Sequence, residues 1–374
     1  MAMSVPFADL KAQYHSIKSE IDLAIQSVIE SSAFVRGEYI EIFEQEYKTA
    51  HGVPHCISCG NGTDALYICL KALGIGIEDE VITTALSWIS TSEVITQCGA
   101  KVAFVDIEPQ YFTIDSGKIE EKITDKTKAI IPVHLYGQPA DMDAIMAIAR
   151  NHNLHVIEDC AQAHFAEYKG KKVGTFGTAG TFSFYPAKNL GAFGDAGAII
   201  SSDTDFSNRA RMFANHGSLK KHEHEIEGIN SRIDGLQAAI LSVKLRYIHQ
   251  WNEKRRQNAL FYQQQLKDSD ALRLPKVRTD VKHVFHQYVI RSSSRNQLQG
   301  YLNDHKIGTS IHYPKSLPFL KAYAHLRSSI EDFPLAFKIP QEILSLPISP
   351  EINQDSLFSV AKTLRSYESS KVLI

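Results

Sequence analysis

The sequence predicts an α/β protein, with a large domain built on a mostly parallel central sheet flanked by helices and a smaller C-terminal α+β domain. Three observations carry this prediction. Between residues 81 and 158, short apolar runs alternate with amphipathic stretches of the size of βαβ units. From Gly235 a helical pattern holds its apolar register through Leu236, Ile240, Val243, Tyr247 and Trp251, then Phe261 and Leu266, long enough to bridge two bodies. Beyond it the chain changes to short strands and helices. The 374 residues accommodate both domains, which we divide as 1–247 and 248–374.

Residues 9–30 carry Leu10, Tyr14, Ile17, Ile21, Ile25, Val28 and Ile29 at one-sided helical spacing, and residues 38–50 form a second helix with Ile42, Phe43 and Tyr47 inward. The apolar run at 55–59 meets a glycine turn, Gly60-Asn61-Gly62-Thr63, and a helix follows with Leu66, Cys69, Leu70 and Leu73 on one face. A helix start behind glycines suits a phosphate. A plain strand-to-helix turn capped by Thr63 or Asp64 explains the same residues as well. Strands are expected at 80–84, 101–106, 129–133 and 154–158, and helices at 90–98 and, capped by Asp141, through His152. Strand, glycine turn and strand follow at 181–200, and residues 203–234 read as polar and glycine-containing. In the last third, strands are expected at 285–291, 310–314 and 344–348, with helices at 295–305 and 354–367.

Composition narrows the function classes. The formal net charge of −2 leaves no general basic footprint for nucleic acid. No apolar run approaches the roughly 20 residues that span a bilayer, and the N-terminal stretch lacks the charge and apolar core of a secretory signal. A cytoplasmic protein is expected. Five cysteines, an odd number scattered in apolar contexts, suggest reduced core thiols. The Cys56-x-x-Cys59 spacing has no second pair to complete a zinc set, and the His/Glu run at 220–225 lacks ligand spacing, so no metal site is expected.

Three residues stand where chemistry could occur. Lys188 lies between the strand-like run 181–185 and a second apolar run at 198–200. A lysine held between buried strands is desolvated, which favours its neutral, nucleophilic amine. Such an amine forms Schiff bases with carbonyl groups. Taken alone, the stretch is more economically an ordinary surface lysine. Asp159 follows the apolar run 154–157, at a strand end where an open α/β sheet places its ligand, beside Gln162 and His164. Alone, it is more often a helix cap. Trp88, just past another strand, is either core or a flat surface for an aromatic ligand.

In combination these features resemble a known family. Gly60–Thr63, Trp88, the segment Glu158-Asp159-Cys160-Ala161-Gln162-Ala163-His164, the motif F-S-F-Y-P-x-K-N-L-G at 182–191 and the motif N-S-R-[LI]-D-x-L-Q-A-A at 230–239 occur in an order and at intervals similar to the DegT/StrS-type sugar-nucleotide aminotransferases. The resemblance covers essentially the whole chain. It implies fold type I of the pyridoxal-phosphate (PLP) dependent transferases, that of aspartate aminotransferase. It further implies that Lys188 carries the Schiff base with PLP and shuttles the proton, that Asp159 pairs with the pyridine nitrogen, and that Gln162 bonds the ring hydroxyl. Trp88 would stack on the ring, and Gly62, Thr63 and Ser183 would hold the phosphate. Asn230 would reach the phosphate of the neighbouring subunit, making the active unit a homodimer with interfacial sites. Tyr185, His164, His312 and Tyr313 would contact the keto-sugar or its diphosphate, and the loop containing Lys220 would lie over the nucleotide.

The implied reaction takes an amino group from an amino acid, L-glutamate being expected, leaves the cofactor as pyridoxamine phosphate, and passes the amine to a nucleotide-linked keto-sugar with ping-pong kinetics. The product would be an amino sugar for O-antigen, capsule or another glycoconjugate. The motifs at 133–139 and 185–191 look closest to members acting on 3-keto sugars, with 4-keto sugars as the alternative. Cys160 replaces a commoner small residue, and the segment 87–91 is one of several family variants that assigns no subfamily. Dehydratases of this fold carry histidine in place of the lysine. A non-catalytic sensor would be expected to have lost Lys188 or Asp159. A dinucleotide-binding dehydrogenase would need a G-x-G-x-x-G that the chain lacks.

Overall fold

The computed structural model describes residues 4–371; Met1–Met3, part of the stretch read as no secretory signal, lie outside the described residues. The helices are α1 (Leu10–Ser16), α2 (Lys18–Ser31), α3 (Glu38–His51), α4 (Gly62–Ala72), α5 (Ser90–Gln97), α6 (Met142–Asn151), α7 (Thr204–Ala214), α8 (Gly235–Leu245), α9 (Ile248–Leu266), α10 (Arg295–Asp304), α11 (Pro334–Glu342) and α12 (Gln354–Lys371). The strands are β1 (His55–Cys59), β2 (Glu80–Thr84), β3 (Lys101–Val105), β4 (Thr127–Ile131), β5 (His155–Asp159), β6 (Glu167–Tyr168), β7 (Lys171–Lys172), β8 (Ala179–Ser183), β9 (Gly197–Ser201), β10 (Val281–Lys282), β11 (Tyr288–Arg291) and β12 (Ile343–Leu346).

Seven strands form the central sheet in the order β1-β9-β8-β5-β4-β2-β3, and only β9 runs against the rest. The period of two along each strand sorts its side chains between two layers. Ile57, Val81, Ala129, Ile131, Ile157 and Ile199 pack with Leu66 and Leu70 of α4, Val94 of α5 and Phe206 of α7. Their strand neighbours face the other way. Cys56, Ala198 and Ile200 meet Phe43 and Tyr47 of α3 and Ile240 of α8, while Ile82, Ile130 and Val156 meet Met142 and Ile145 of α6. Both faces of a parallel sheet are therefore covered, as its apolar runs require. Cys56 and Cys59 fall in opposite layers, so their spacing serves packing, and all five thiols are buried and free.

A separate apolar cluster joins Tyr262 of α9, the antiparallel pair β11–β12, Leu298 of α10 and Leu364 of α12. An N-terminal strap reaches it: Val5 N donates to Lys306 O at 2.9 Å and Gly308 N to Val5 O at 2.8 Å.

Several expectations differ from the structure. The polar stretch 203–234 contains a full helix, α7, capped by Asp203 and anchored by Phe206, Ala210 and Phe213 on one narrow stripe. The helical pattern 235–266 is two helices that meet at Arg246 and Tyr247. Residues 310–314 form no strand; Ser310 alone makes an isolated bridge to Ser345. The strand expected from 285 begins at Tyr288. No helix among the described residues is long and apolar enough to cross a membrane.

Candidate active site

The sheet's carboxyl-end loops open into one cavity of about 740 Å³, the place where an open α/β sheet holds its ligand and a size suited to a small organic molecule. Gly62, Thr63, Trp88, Asp159, Gln162, Ser183, Tyr185, Lys188, His312 and Tyr313 line it.

One wall is the start of α4. Asn61, rather than Thr63 or Asp64, caps the helix, its side-chain oxygen accepting from Asp64 N at 2.8 Å. The amides of Gly62 and Thr63 belong to the first turn, whose N–H groups no intrahelical carbonyl can satisfy, at the positive end of the dipole. Gly62 is required by close approach, because a Cβ there would lie 2.7 Å from Ser183 Cβ. Glycine thus brings Ser183, at the end of β8, against the helix start. Ser231 braces the turn from the far side: its hydroxyl donates to Asp64 Oδ2 at 2.5 Å and accepts from Gly60 N at 2.9 Å. Together these groups form an anion cradle of amides and hydroxyls.

Another part of the lining carries charge. Asp159, at the end of β5, is 5% exposed. Thr91 Oγ1 donates to its Oδ2 at 2.8 Å, Ala161 N donates to its Oδ1 at 3.1 Å, and Ser87 Oγ lies 2.9 Å from Thr91 Oγ1. Burial pushes this carboxyl above the usual range, opposed by both donors and by the charge of Lys188. Lys188 sits in the turn after β8, its amide donating to Tyr185 O at 2.8 Å. Burial pushes its ammonium down to about 8, with Asp159 opposing. A lysine so poised carries a substantial neutral fraction near physiological pH, which an ordinary lysine does not.

Between them lies a set of aligned side chains. Gln162 Oε1 accepts from Tyr136 N at 2.7 Å and its Nε2 donates to Tyr313 Oη at 2.9 Å, which fixes the amide's orientation. Tyr136 holds φ +60° to present that amide, and its hydroxyl donates to His312 O. The Trp88 ring, 57% exposed, stands 5.5 Å from Tyr313, open to an aromatic partner. His312 Nδ1 pairs with Ser345 Oγ at 2.8 Å, and burial brings the imidazole down to about 4, so it is neutral at pH 7.

Beneath the Lys188 turn the polar groups are tied off. Asn189 donates to Asn252 Oδ1 at 2.8 Å and to Val284 O at 3.0 Å, and Asn252 donates to His164 O at 2.9 Å. Lys244, fully buried, donates to Gly191 O at 2.6 Å and lies over the Phe193 ring.

Three expected residues do not line the cavity. His164, expected against the sugar, is fully buried between Tyr47 Oη at 3.0 Å and Ser183 O at 2.9 Å. The carbonyl can only accept, so Nε2 carries the proton and Nδ1 takes the tyrosine's; burial pushes the ring down to about 3. It braces the end of β8 and is absent from the cavity lining. Lys220, expected over the nucleotide, is exposed and pairs with Glu223 at 2.6 Å. Asn230, expected at the phosphate of a neighbouring subunit and not in this cavity, is exposed and bridges to Asn215 on the same excursion of chain. Sequence reasoning missed Asn61, Thr91, Tyr136 and the strap's Phe7. Of these, only Asn61, placed just before a helix start, carried a local signal, that of an N-cap.

His134, Glu158 and Cys160 cluster below Asp159 at metal-binding spacing, but the carboxylate and imidazole are already engaged. Glu158 accepts from the amides of Gly174, Phe176 and Gly177 at 2.8, 2.7 and 3.0 Å and from His134 Nε2 at 3.0 Å, while His134 Nδ1 accepts from Ala140 N at 3.0 Å.

An anion cradle at one end, an uncovered indole, a buried carboxylate and a lowered lysine within one cavity fit a flat cationic ring with a phosphate arm and a carbonyl, which is the chemistry of pyridoxal phosphate. Comparison with known proteins agrees. A "Pleiotropic regulatory protein" of Geobacillus stearothermophilus is 45% identical, the match covering 98% of this chain and 99% of that one. A dTDP-3-amino-3,6-dideoxy-alpha-D-galactopyranose transaminase of Aneurinibacillus thermoaerophilus is 43% identical over 97% of this chain and 99% of its own. The crystal structure of S. venezuelae DesV in complex with a ketimine intermediate superposes with a TM-score of 0.96 at 38% identity, covering 98% of each chain. Residues 15–365 match the family model as well, and the chain belongs to the DegT/DnrJ/EryC1/StrS aminotransferase family.

Proposed function

We propose that this PLP-dependent aminotransferase moves an amino group from L-glutamate to the 3-keto group of a nucleotide-linked hexose. The observation that carries the reading is that Lys188 and Asp159 line one cavity, each shifted by burial and each opposing the other's shift through its charge. Pyridoxal phosphate, when bound, supplies the electron sink that makes an amino acid's α-proton removable. Gly62, Thr63 and Ser183 would hold its phosphate, Trp88 would cover the ring, Gln162 would bond the ring hydroxyl, and Asp159 would keep a negative charge at the ring nitrogen. Thr91 and the Ala161 amide hold that carboxylate in place. Lys188 Nζ would anchor the cofactor and move the proton on and off the donor's α-carbon, a task for which burial favours its neutral amine. Tyr185, His312 and Tyr313 face the acceptor.

The 3-keto preference is supported by the similarity to the Aneurinibacillus transaminase, whose name places the amine at C-3; 4-keto acceptors are the alternative. Asn230 and Lys220, exposed on one excursion outside their own cavity, are suited to reach a neighbouring subunit's site, and we assign the active unit as a homodimer on that basis. The name of the Geobacillus relative raises a regulatory reading. Retention of both Lys188 and Asp159 in the cavity favours catalysis. The test is turnover by Lys188→Ala and Asp159→Asn. Transfer should be lost in the first and mostly lost in the second, with folded proteins in both. Wild-type turnover in Lys188→Ala would overturn the assignment.

A further inference from the structure

Phe7 has no part in the chemistry above, yet it lines the cavity. Its position is built. On one side Val5 is locked to the 306–308 turn by two backbone hydrogen bonds of 2.9 and 2.8 Å. On the other, Asp9 caps α1, accepting from Ala12 N at 2.8 Å. Pro6 stiffens the span between them. Gly308 permits the close approach, since a Cβ there would lie 2.6 Å from Phe7 N. These restraints hold a half-buried phenyl ring at the cavity wall, a cost in exposed apolar area unless a ligand covers it.

The ring closes a row of four. Trp88 and Tyr313 are 5.5 Å apart, Tyr313 and His312 5.6 Å, and His312 and Phe7 5.7 Å, the last pair stacked at 28°. Trp88, which we assign to the cofactor ring, lines the same cavity as Gln162 and Asp159, and Tyr313 leads from it toward the acceptor side. Phe7 stands at the end of this series of ring contacts, one ring beyond His312, on the side of the cavity that we assign to the acceptor. A phenyl face has no hydrogen bond to offer a hydroxyl. It suits the C–H face of a pyranose.

We propose that Phe7 is a specificity residue, the platform on which the hexose ring of the acceptor packs. This rests on the nucleotide-sugar reading given above. The experiment is calorimetric titration of the cofactor-loaded protein with dTDP-glucose and UDP-N-acetylglucosamine, and with dTDP and UDP. Phe7→Ala should weaken the sugar nucleotide that the wild type binds by about fivefold and leave the matching diphosphate unchanged. Phe7→Trp should retain affinity. Gly308→Ala, whose Cβ would press on Phe7 N, Cα and Cβ and so displace the strap, should reproduce the loss. Reduction of bleaching by L-glutamate in Phe7→Ala would contradict the assignment to the acceptor alone. Equal weakening of sugar nucleotide and diphosphate would place the ring against the base and overturn the proposal, as would no weakening at all. A wild type that binds neither of these sugar nucleotides nor GDP-mannose would overturn the nucleotide-sugar reading and the proposal with it.

Discussion

Replacing Gly62 by alanine drives a methyl group into the end of β8. The new Cβ would lie 2.7 Å from Ser183 Cβ and 3.2 Å from Ser183 Cα. Carbon atoms pack at about 3.5–4.0 Å, so helix start and strand end must separate by about 1 Å. Overpacking of this kind costs about 1–3 kcal/mol of stability. The functional cost should be larger, because the displaced groups are the cradle that we assign to the cofactor phosphate. A misplacement of about 1 Å in an aligned site costs on the order of 100-fold. The assay is an absorbance titration of the cofactor-free variant with PLP, alongside thermal unfolding. Gly300→Ala is the control: this glycine lies exposed inside α10 with nothing within 4 Å of a Cβ, so alanine should stabilise by about 0.5–1 kcal/mol and leave cofactor affinity alone. Wild-type PLP affinity in a folded Gly62→Ala protein would refute the cradle.

The other predictions concern the two charged groups. Lys188 is lowered from 10.5 to about 8, so between those values the folded cofactor-free protein binds fewer protons than the unfolded chain. Its stability should therefore rise with pH across that window and be lost as pH falls toward 8. Lys188→Met should flatten the slope without abolishing it, because buried Lys244 is also lowered to about 8; an unchanged slope in chemical unfolding at pH 8 and 10 would contradict the burial argument. Thr91→Val leaves Asp159 Oδ2 without its hydroxyl donor and should cost about 1.5–3 kcal/mol of stability and weaken PLP binding. Thr91→Ser should restore both, and a silent Thr91→Val would remove Thr91 from the site.

The sheet was legible because its strands are continuous apolar runs bounded by turns, and Lys188 and Asp159 were legible because they follow such runs. What escaped had no periodic signal to give. Helix α7 spaces its buried Phe206, Ala210, Phe213 and Ala214 among charged and polar residues, so composition read as loop. Helix α11 carries Pro340 inside it, and proline argues against a helix interior in sequence. Thr91, Tyr136 and Phe7 enter the site from three separate loops or helix starts, so only tertiary packing brings them together. His164 shows the converse error. Five residues from Asp159 it looked like a site residue, but its imidazole is consumed by Tyr47 and Ser183 on the buried side of β8.

The most direct measurement is the visible absorption spectrum of the purified protein with PLP, before and after L-glutamate. A yellow band from the Lys188-linked cofactor is expected, which glutamate should bleach and a nucleotide-linked 3-keto hexose should restore. A band that ignores every amino donor, or no band at all, would contradict the reading.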